Sequence, residues 1–220
     1  MTNAYEVVLF DLDGTLLDTS KGIFNSVRYA EVQLGLQPIS ETQLKQFLGP
    51  PPVKVYQKIY KMTKECAIEA AKYHRAYSRE KAMFEAMIYS GIKEALAELK
   101  QKGFIIVIAS NKISKEVYRG LKICGLNDLV DDVIGAEQMD KPKPDPDCIN
   151  KVKSKYNVKK VLMIGDTEND ILCGKNAKSY TCGVTWCVSN SDDFKKWNAD
   201  EIISDTLELI KLGEKYENRL

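Results

Sequence analysis

The amino-acid sequence predicts the α/β fold class, with a doubly wound parallel sheet as its core and a helical cap domain inserted after the first strand. After Gly91, short apolar segments alternate with amphipathic ones, a pattern typical of parallel strands joined by helices. Before that point, residues 20–88 carry only helical signals, which indicates an insertion. We therefore expect a Rossmann-like core of residues 1–18 and 89–220 and a cap of residues 19–88.

The predicted strands are short apolar runs. The first extends from Glu6 to Phe10, and its continuous apolar stretch indicates burial on both faces of the sheet. The later strands are expected at residues 104–109, 133–134, 161–164, 180–184 and 202–203. Because helical segments separate most of them, these strands should run parallel.

Capping residues locate the predicted helices. Ser20 and Gly35 bound the first helix of the insertion, and Ser40 with Gln43 forms a capping box. The run Gly49-Pro50-Pro51-Pro52 then breaks the chain, and a longer helix follows from Thr63. Core helices are expected at residues 92–102, at 115–124 with Ser114 as the cap, and from residue 206.

Composition excludes several classes of protein. The chain has 220 residues, 44% of them hydrophobic and 29% charged, with a formal net charge of +1. This balance gives no sign of a surface for a nucleic acid polymer. No apolar run approaches the roughly 18–20 residues of a membrane-spanning helix. The segment from Met1 to Phe10 lacks the basic start and long apolar stretch of a secretory signal, so we expect a cytoplasmic location.

Cysteine and histidine usage restricts the chemistry. The six cysteines form no CxxC pair, which argues against zinc ribbons and thioredoxin-like redox sites. His74 is the only histidine, so a Ser-His-Asp triad and a histidine metal cluster cannot both be present. Carboxylates, hydroxyls and lysines must therefore carry any reaction.

Polar residues follow three of the predicted strands. They are Asp11-Leu12-Asp13-Gly14-Thr15, Ser110-Asn111, and Gly165-Asp166 with Asp170 beyond, while Lys141-Pro142-Lys143-Pro144 precedes a helix. Since ligands bind beyond the carboxyl ends of the strands in open parallel sheets, these groups should meet at one edge. Aspartate oxygens without histidine or thiolate favour Mg²⁺ over zinc.

Four segments in this order carry a resemblance to a known family. DLDGTLLDT, IASNK, DKPKPDP and GDTENDI resemble the four motifs of the haloacid dehalogenase superfamily, and together they span essentially the whole chain. The helical insertion between the first two motifs is similar to that of the phosphoglycolate phosphatase and β-phosphoglucomutase branch. The resemblance implies a Mg²⁺-dependent phosphatase that acts on a small phosphomonoester through an aspartyl-phosphate intermediate.

The resemblance also implies roles for the aspartates. Asp11 would be the nucleophile, and Asp13 the general acid and then the general base. Mg²⁺ would bind Asp11, the backbone carbonyl of Asp13, and Asp166, with Asp170 close by or acting through water. A cation is needed physically, because a carboxylate near a phosphate dianion meets a repulsion of about 4 kcal/mol per charge pair at 4 Å and an effective dielectric constant of 20.

Other residues would bind the phosphate. Gly14 lets the backbone approach it closely and Thr15 supplies a hydroxyl, while Ser110 and Asn111 can donate from the end of their strand. Gly49 lies in a turn that resembles the cap turn facing the active site in this branch.

A lysine is expected to neutralise both the nucleophile and the phosphate. Lys141 and Lys143 compete for this role, two positions apart. The family pattern Lys-Pro-x-Pro leads us to expect Lys141, with Lys143 in a solvated loop.

The cap is basic. Residues 20–88 hold 11 Lys and Arg against 6 Asp and Glu, a net charge of +5, whereas the remainder carries −4. This suits a small anionic phosphorylated metabolite as the partner, with no nucleic acid, no membrane, and a monomer or homodimer as the assembly. Arg28, Lys54, Arg75 and Arg79 are candidate specificity residues.

Several activities remain open on the sequence. A phosphoglycolate phosphatase-like enzyme is expected first, and a 5′-nucleotidase or pyrophosphatase of the same family would use the same catalytic residues. A β-phosphoglucomutase-like phosphomutase would differ mainly in how the cap shields the phospho-enzyme from water. A non-catalytic binding domain is disfavoured, since every motif residue is present.

Overall fold

A parallel sheet forms the centre of the protein. The computed structural model describes residues 6–215. Its strands are β1 (Val7–Phe10), β2 (Leu17–Asp18), β3 (Met87–Ile88), β4 (Ile105–Ala109), β5 (Asp132–Ile134), β6 (Val161–Gly165), β7 (Tyr180–Val184) and β8 (Glu201–Ile203). Six of them form one sheet in the order β5-β4-β1-β6-β7-β8, and every neighbouring pair is parallel. The predicted fold class is confirmed.

Helices connect these strands. They are α1 (Ser20–Leu34), α2 (Glu41–Leu44), α3 (Pro52–Tyr60), α4 (Lys64–Glu80), α5 (Ile92–Gln101), α6 (Ser114–Ile123), α7 (Asp147–Tyr156), α8 (Glu168–Asn176), α9 (Ser191–Lys196) and α10 (Glu208–Lys215). Within residues 6–215, none is long and apolar enough to cross a membrane. Residues 1–5, which belong to the segment expected to lack a secretory signal, lie outside the described residues.

The strand order reverses direction at β1. From β1 the chain passes to β4 and β5 on one side, and then returns to β6, β7 and β8 on the other. In a doubly wound sheet, such a reversal opens a crevice at the carboxyl ends of the central strands. The topology therefore places a site beyond β1, β4 and β6.

The sheet core is apolar on both faces. Every residue of β1 and β6 is buried, as expected for central parallel strands covered by helices. On one face, Val7 and Leu9 of β1 join a buried cluster with Ile149 and Val152 of α7 and with Cys173 of α8. This packing fixes the strand ends from which the polar loops emerge.

The chain divides into two compact units. One contains residues 6–17 and 88–215 of the described chain, and the other is Asp18–Met87. The second unit has its own apolar cluster, which includes Val27 of α1, Phe47, and Tyr56 of α3, together with Ala67 and Ala71 of α4. It therefore possesses a separate core.

Several helix starts differ from the sequence predictions. Ser20 is the first residue of α1 and not its cap, and α10 begins at Glu208 and not at residue 206. The run of prolines does break the chain, but α3 begins directly at Pro52, because the missing N–H of proline costs nothing in the first turn of a helix. Ser114 is the first residue of α6 and not its cap: its backbone N–H donates to the Glu137 carboxylate, at 3.0 Å to each oxygen. A residue from a distant loop thus does the capping.

Candidate active site

Three strand ends bring the predicted polar residues together. Phe10 lies opposite Ile108 of β4 and Ile164 of β6, so the next residues along each strand, including Asp11 and Asp166, emerge at neighbouring levels. The Asp11 backbone N–H continues the ladder by donating to the Ile164 carbonyl at 2.9 Å. Parallel register therefore explains why segments far apart in sequence meet here.

Lys143 lies at the centre of this site. Its Nζ donates to Asp11 Oδ1 and Asp170 Oδ1, both at 2.6 Å, and to the Ala109 carbonyl at 2.8 Å. Its side chain is only 3% exposed. An ammonium group has three N–H donors, so Lys143 is fully satisfied where an unpaired charge would be very costly.

Burial sets the electrostatics of these groups. It raises the pKa of Asp11 to about 7, although Lys143 opposes this shift and Asp170 adds to it. Burial also raises the pKa of Asp166 well above its usual range, reinforced by the charge of Asp11. For Lys143, burial alone would lower the pKa, but the two carboxylates outweigh it and the pKa is raised. The site therefore holds more buried carboxylate charge than Lys143 neutralises.

A hard cation fits the surplus carboxylates. One oxygen from each of Asp11, Asp166 and Asp170 lies within 4.8 Å of the others, and all three residues are buried. This donor set consists of oxygen alone, which suits Mg²⁺ better than softer metals. The residues present therefore fit a divalent ion.

Asp170 differs from the other two aspartates. Its Oδ1 accepts from Lys143, and its Oδ2 accepts from the Thr167 hydroxyl at 2.6 Å and the Thr167 backbone N–H at 3.1 Å. These bonds form a capping box at the start of α8. Asp170 therefore both caps the helix and orients Lys143, which leaves Asp11 and Asp166 better placed for a metal ion.

Position 14 requires glycine, because the Asp166 carboxylate leaves no room for a side chain there. The φ of Gly14 is +85°, and a Cβ built there would lie 2.2 Å from Asp166 Oδ2 and 2.9 Å from Cys187 Sγ. The Thr15 hydroxyl is 3.4 Å from Asp166 Oδ1, and the Trp186 indole N–H donates to the Thr15 carbonyl at 3.1 Å. The turn after β1 is therefore packed tightly against the loop that carries Asp166.

Asp13 has a lysine partner of its own. Lys112 Nζ donates to Asp13 Oδ1 at 2.7 Å, and the Lys112 backbone N–H donates to Ser110 Oγ at 3.2 Å. Burial alone would lower the pKa of Lys112. The neighbouring carboxylates, Asp13 first among them, together raise that pKa by a larger amount, so the net shift is upward. The loop after β4 thus contributes a second cation to the site.

The choice of Lys141 over Lys143 is corrected by the structure. The Lys141 side chain is 75% exposed, and its ion-pair contact is with Asp145 at 3.9 Å. Lys143 instead contacts Asp11 and Asp170. The pattern Lys-Pro-x-Pro occurs twice, at residues 141–144 and again at 143–146 with Asp145 as its third residue, so it could not decide between the two lysines.

The remaining predicted residues are distributed between the two units. Ser110 is buried at the end of β4, and Asn111 is exposed after it. Gly49 lies in the second unit, in an exposed turn with a φ of +96°. Lys54 lines a cavity of about 330 Å³ in that unit, together with Gln46 and Lys58 among others.

Arg28 has a structural role within the second unit. Its guanidinium donates to both oxygens of the buried Glu31 and to the Ile39 carbonyl at 2.6 Å. Tyr60 donates to the same carboxylate at 2.6 Å. These bonds compensate the buried charge of Glu31. The position of Arg28 is therefore explained by contacts within the protein, without a bound substrate. Arg75 and Arg79 are exposed on α4.

Sequence reasoning missed several contributors. Lys112 is the last residue of the segment IASNK, and Trp186 and Cys187 follow β7. Lys143 had a visible signal in the second copy of its pattern. For Trp186 and Cys187 no local signal exists, because only the sheet order brings β7 beside β6.

A doubly wound parallel core with an inserted helical unit and buried aspartates at its strand ends defines a Rossmann-like enzyme. The chain belongs to the haloacid dehalogenase-like hydrolase family, whose sequence model matches residues 8–184. It is thus a hydrolase. The match includes Asp11, Lys143 and Asp166.

Individual relatives agree with this assignment. The chain is 31% identical to "Pyrophosphatase PpaX" of Listeria innocua over 218 residues, covering 96% of this chain and 99% of the relative. It is 29% identical to "Phosphoglycolate phosphatase" of Vibrio parahaemolyticus, covering 94% and 95%. A crystal structure described as "a predicted phosphatase from Clostridium acetobutylicum" superposes with a TM-score of 0.83 at 31% identity, covering 96% and 99%.

Proposed function

We propose that the chain is a Mg²⁺-dependent phosphatase that hydrolyses a small phosphomonoester through a covalent phosphate on Asp11. One observation carries this proposal: the buried Asp11 carboxylate is held by Lys143 at 2.6 Å and has an Asp166 oxygen within 4.8 Å. This arrangement provides a carboxylate nucleophile, a fixed cation and a metal-binding oxygen in one place. The names of the relatives, pyrophosphatase and phosphoglycolate phosphatase, support the reaction class.

Asp11 attacks in the first step. Its Oδ1 accepts from Lys143, whereas its Oδ2 accepts no hydrogen bond among residues 6–215. An Asp11 oxygen forms a bond to phosphorus as the bond to the leaving oxygen breaks, and protonated Asp13 gives its proton to that oxygen. Lys143 remains paired with Asp11 and holds the nucleophile in place. The product of this step is an aspartyl-phosphate and the free alcohol or acid.

Water completes the reaction. Asp13, now ionised, removes a proton from a water molecule, whose oxygen bonds to phosphorus while the bond to Asp11 breaks. Inorganic phosphate leaves, and both aspartates return to their starting states. Ser110, Asn111, Thr15 and the backbone at Gly14 are the proposed donors to the phosphate oxygens.

Asp11, Asp166 and the backbone carbonyl of Asp13 are the proposed Mg²⁺ ligands. When bound, the ion would offset the repulsion between the substrate phosphate and the aspartates. Asp170 is proposed to act mainly by holding Lys143, since both of its oxygens already accept hydrogen bonds. Gly14 keeps Asp166 accessible, because a side chain there would collide with Oδ2.

The substrate class follows from the relatives and from charge. Phosphoglycolate and pyrophosphate are the compounds that the relatives' names point to, and both carry an anionic group beyond the phosphate that is transferred. A 5′-nucleotidase would share the same core residues. A cytoplasmic location and a monomeric or homodimeric state stay predictions from the sequence.

A metal-supplemented screen tests the proposal. The purified protein is incubated with a panel of phosphoesters, pyrophosphate and sugar phosphates, and phosphate release is measured with Mg²⁺, with Ca²⁺ and with excess chelator. We expect release with Mg²⁺ only, because the looser coordination of Ca²⁺ would misalign the attacking oxygen. The Asp11→Asn variant should form no acid-stable phosphate adduct, whereas the wild-type enzyme should be labelled on Asp11.

Other outcomes would exclude this function. Full turnover in excess chelator would contradict the metal requirement. Interconversion of sugar phosphates without phosphate release would identify a phosphomutase, and binding without turnover of any compound would identify a binding domain.

A further inference from the structure

We propose that Lys112 binds the leaving group of the substrate and selects leaving groups that are themselves anionic. This inference rests on the proposed function, since it assigns a substrate class to the same site. The ligand it predicts is a phosphate ester or anhydride whose leaving portion ends in a phosphate or carboxylate.

The position of Lys112 relative to Asp13 carries the inference. Lys112 Nζ lies 2.7 Å from Asp13 Oδ1, and Asp13 is the proposed donor to the leaving oxygen. Because Asp13 must lie within hydrogen-bond reach of the leaving oxygen to protonate it, we infer that Lys112, bonded to Asp13, lies near the leaving group. Lys143, in contrast, contacts the nucleophile Asp11. The two lysines therefore serve opposite sides of the reacting phosphorus.

Lys112 has the capacity for a ligand that Lys143 lacks. The three N–H donors of Lys143 all have partners within the protein, and its side chain is 3% exposed. Lys112 Nζ has Asp13 as its hydrogen-bond partner among the described residues, and its side chain is 40% exposed. Two donors of its ammonium group therefore remain available to an incoming anion.

The backbone of Lys112 is fixed on both sides. Its N–H donates to Ser110 Oγ at 3.2 Å, and its carbonyl accepts from the Ala136 N–H at 2.8 Å. Only the side chain is therefore left to adjust when a substrate binds. A lysine with a fixed backbone and a flexible side chain can bind an anionic group whose position varies slightly between substrates.

Charge at the sheet edge makes such a group necessary. Asp11, Asp13, Asp166 and Asp170 stand here against Lys112 and Lys143. A second anionic group on the substrate must approach this acidic edge next to Asp13, and Lys112 is the cation already located there. Without it, substrates with a charged leaving group should suffer more than substrates with a neutral one.

The test compares the two kinds of substrate in matched variants. The kcat/KM of wild type, Lys112→Met, Lys112→Arg and Lys115→Met is measured for pyrophosphate and phosphoglycolate and for phenyl phosphate, whose leaving group is neutral once protonated. For Lys112→Met we expect the preference for the anionic leaving groups to fall roughly 10–100-fold, the range for loss of a charged hydrogen bond. Lys112→Arg should restore most of this preference, and Lys115→Met, an exposed lysine on α6, should match wild type.

A binding measurement separates recognition from proton transfer. In the Asp11→Asn background with Mg²⁺, Lys112→Met should weaken binding of methylenebisphosphonate but not of methylphosphonate, as measured by calorimetry. Equal losses on all substrates, or unchanged preference, would overturn the proposal and leave Lys112 as a residue that only orients Asp13. If the wild-type enzyme hydrolyses none of these compounds, the proposed function itself fails, which is a distinct result.

Discussion

Two lysines in overlapping copies of one short pattern have opposite environments. Lys143 is 3% exposed and bound to two aspartates, whereas Lys141 is 75% exposed. Both satisfy Lys-Pro-x-Pro, so residue type and spacing are identical for the two. The side chain that enters the site is decided by the path of the loop that leads into α7.

Replacing Lys143 should damage both catalysis and stability. In Lys143→Met, two buried carboxylates lose their counter-charge, which we expect to cost about 3–5 kcal/mol in the free energy of unfolding. The loss of a fixed cation beside the nucleophile should reduce kcat at least about 100-fold. Steady-state kinetics and denaturant titrations measure the two effects.

Lys141→Met is the matched control. It changes the same residue type two positions away, and because Lys141 is mostly exposed we expect kcat within about twofold of wild type and stability within about 0.5 kcal/mol. A larger effect at Lys141 than at Lys143 would contradict the site described here.

Asp11 and Asp13 should fail differently when substituted. Asp13→Asn retains the nucleophile but loses the acid and base, so turnover should fall by roughly 10²–10⁴-fold. With an activated leaving group that needs little protonation, the first step should survive, and phosphate should accumulate on Asp11. Rapid-quench labelling checks this expectation. Failure to label Asp13→Asn with an activated ester would show that Asp13 is needed for more than proton transfer.

At the scale of elements, α4 holds the single histidine in an apolar setting. His74 is 6% exposed, its ring stacks on Phe47 with 6.1 Å between centroids, and its Nδ1 lies 3.5 Å from the Tyr56 hydroxyl. Burial lowers its pKa from 6.5 to about 4, and the neighbouring Arg75 adds to this shift. His74 is thus a neutral packing residue of the second unit.

This burial predicts a pH dependence of stability. Because the folded pKa is lower than the unfolded one, the unfolded chain binds more protons between about pH 6.5 and pH 4, and stability is lost as the pH falls through that window. From pH 7 to pH 5 the loss due to His74 should be about 2 kcal/mol. Denaturant titrations of wild type and His74→Gln measure it.

The comparison of His74→Gln with wild type controls for the other titrating groups, because both proteins contain them. His74→Gln should be less stable than wild type at pH 7 but should lose about 2 kcal/mol less on acidification. If the two proteins show parallel pH profiles, His74 does not titrate in this window.

At the scale of the whole molecule, carboxylate charge at the sheet edge should link metal binding to folding. Since the unfolded chain does not assemble this site, Mg²⁺ at about 100 times its Kd should stabilise the folded protein by about 2.7 kcal/mol. That corresponds to a rise of roughly 5–10 °C in Tm for a chain of this size. Thermal unfolding with and without Mg²⁺ measures the shift, independently of turnover.

Asp166→Asn is the informative variant for this linkage. It removes a proposed ligand whose pKa is raised by burial and by the charge of Asp11, so the metal-free protein should be as stable as wild type or more so. The Mg²⁺-dependent rise in Tm should disappear. A rise that persists unchanged would place the ion elsewhere.

The sequence alone predicted the α/β class, the parallel strands and the aspartates at their ends. These features depend on local patterns: a buried parallel strand needs a continuous apolar run, and the polar residues after it are contiguous in sequence. Both ends of β7 and the C-terminal end of α1 agree with the structure to the residue, because strand length and the glycine after α1 are local properties. The start of α1 does not agree, since Ser20, expected as the cap, is its first residue.

Only the tertiary structure decided which lysine enters the site, that Asp170 holds it, and that Lys112 pairs with Asp13. These contacts join residues separated by 132, 27 and 99 positions, so no local spacing encodes them. They follow from the order of the strands and from the path of each loop at the sheet edge. Burial makes the pairings of Lys143 with Asp11 and Asp170 compulsory, because a charge removed from water must find a partner, and the fold determines which partner is within reach.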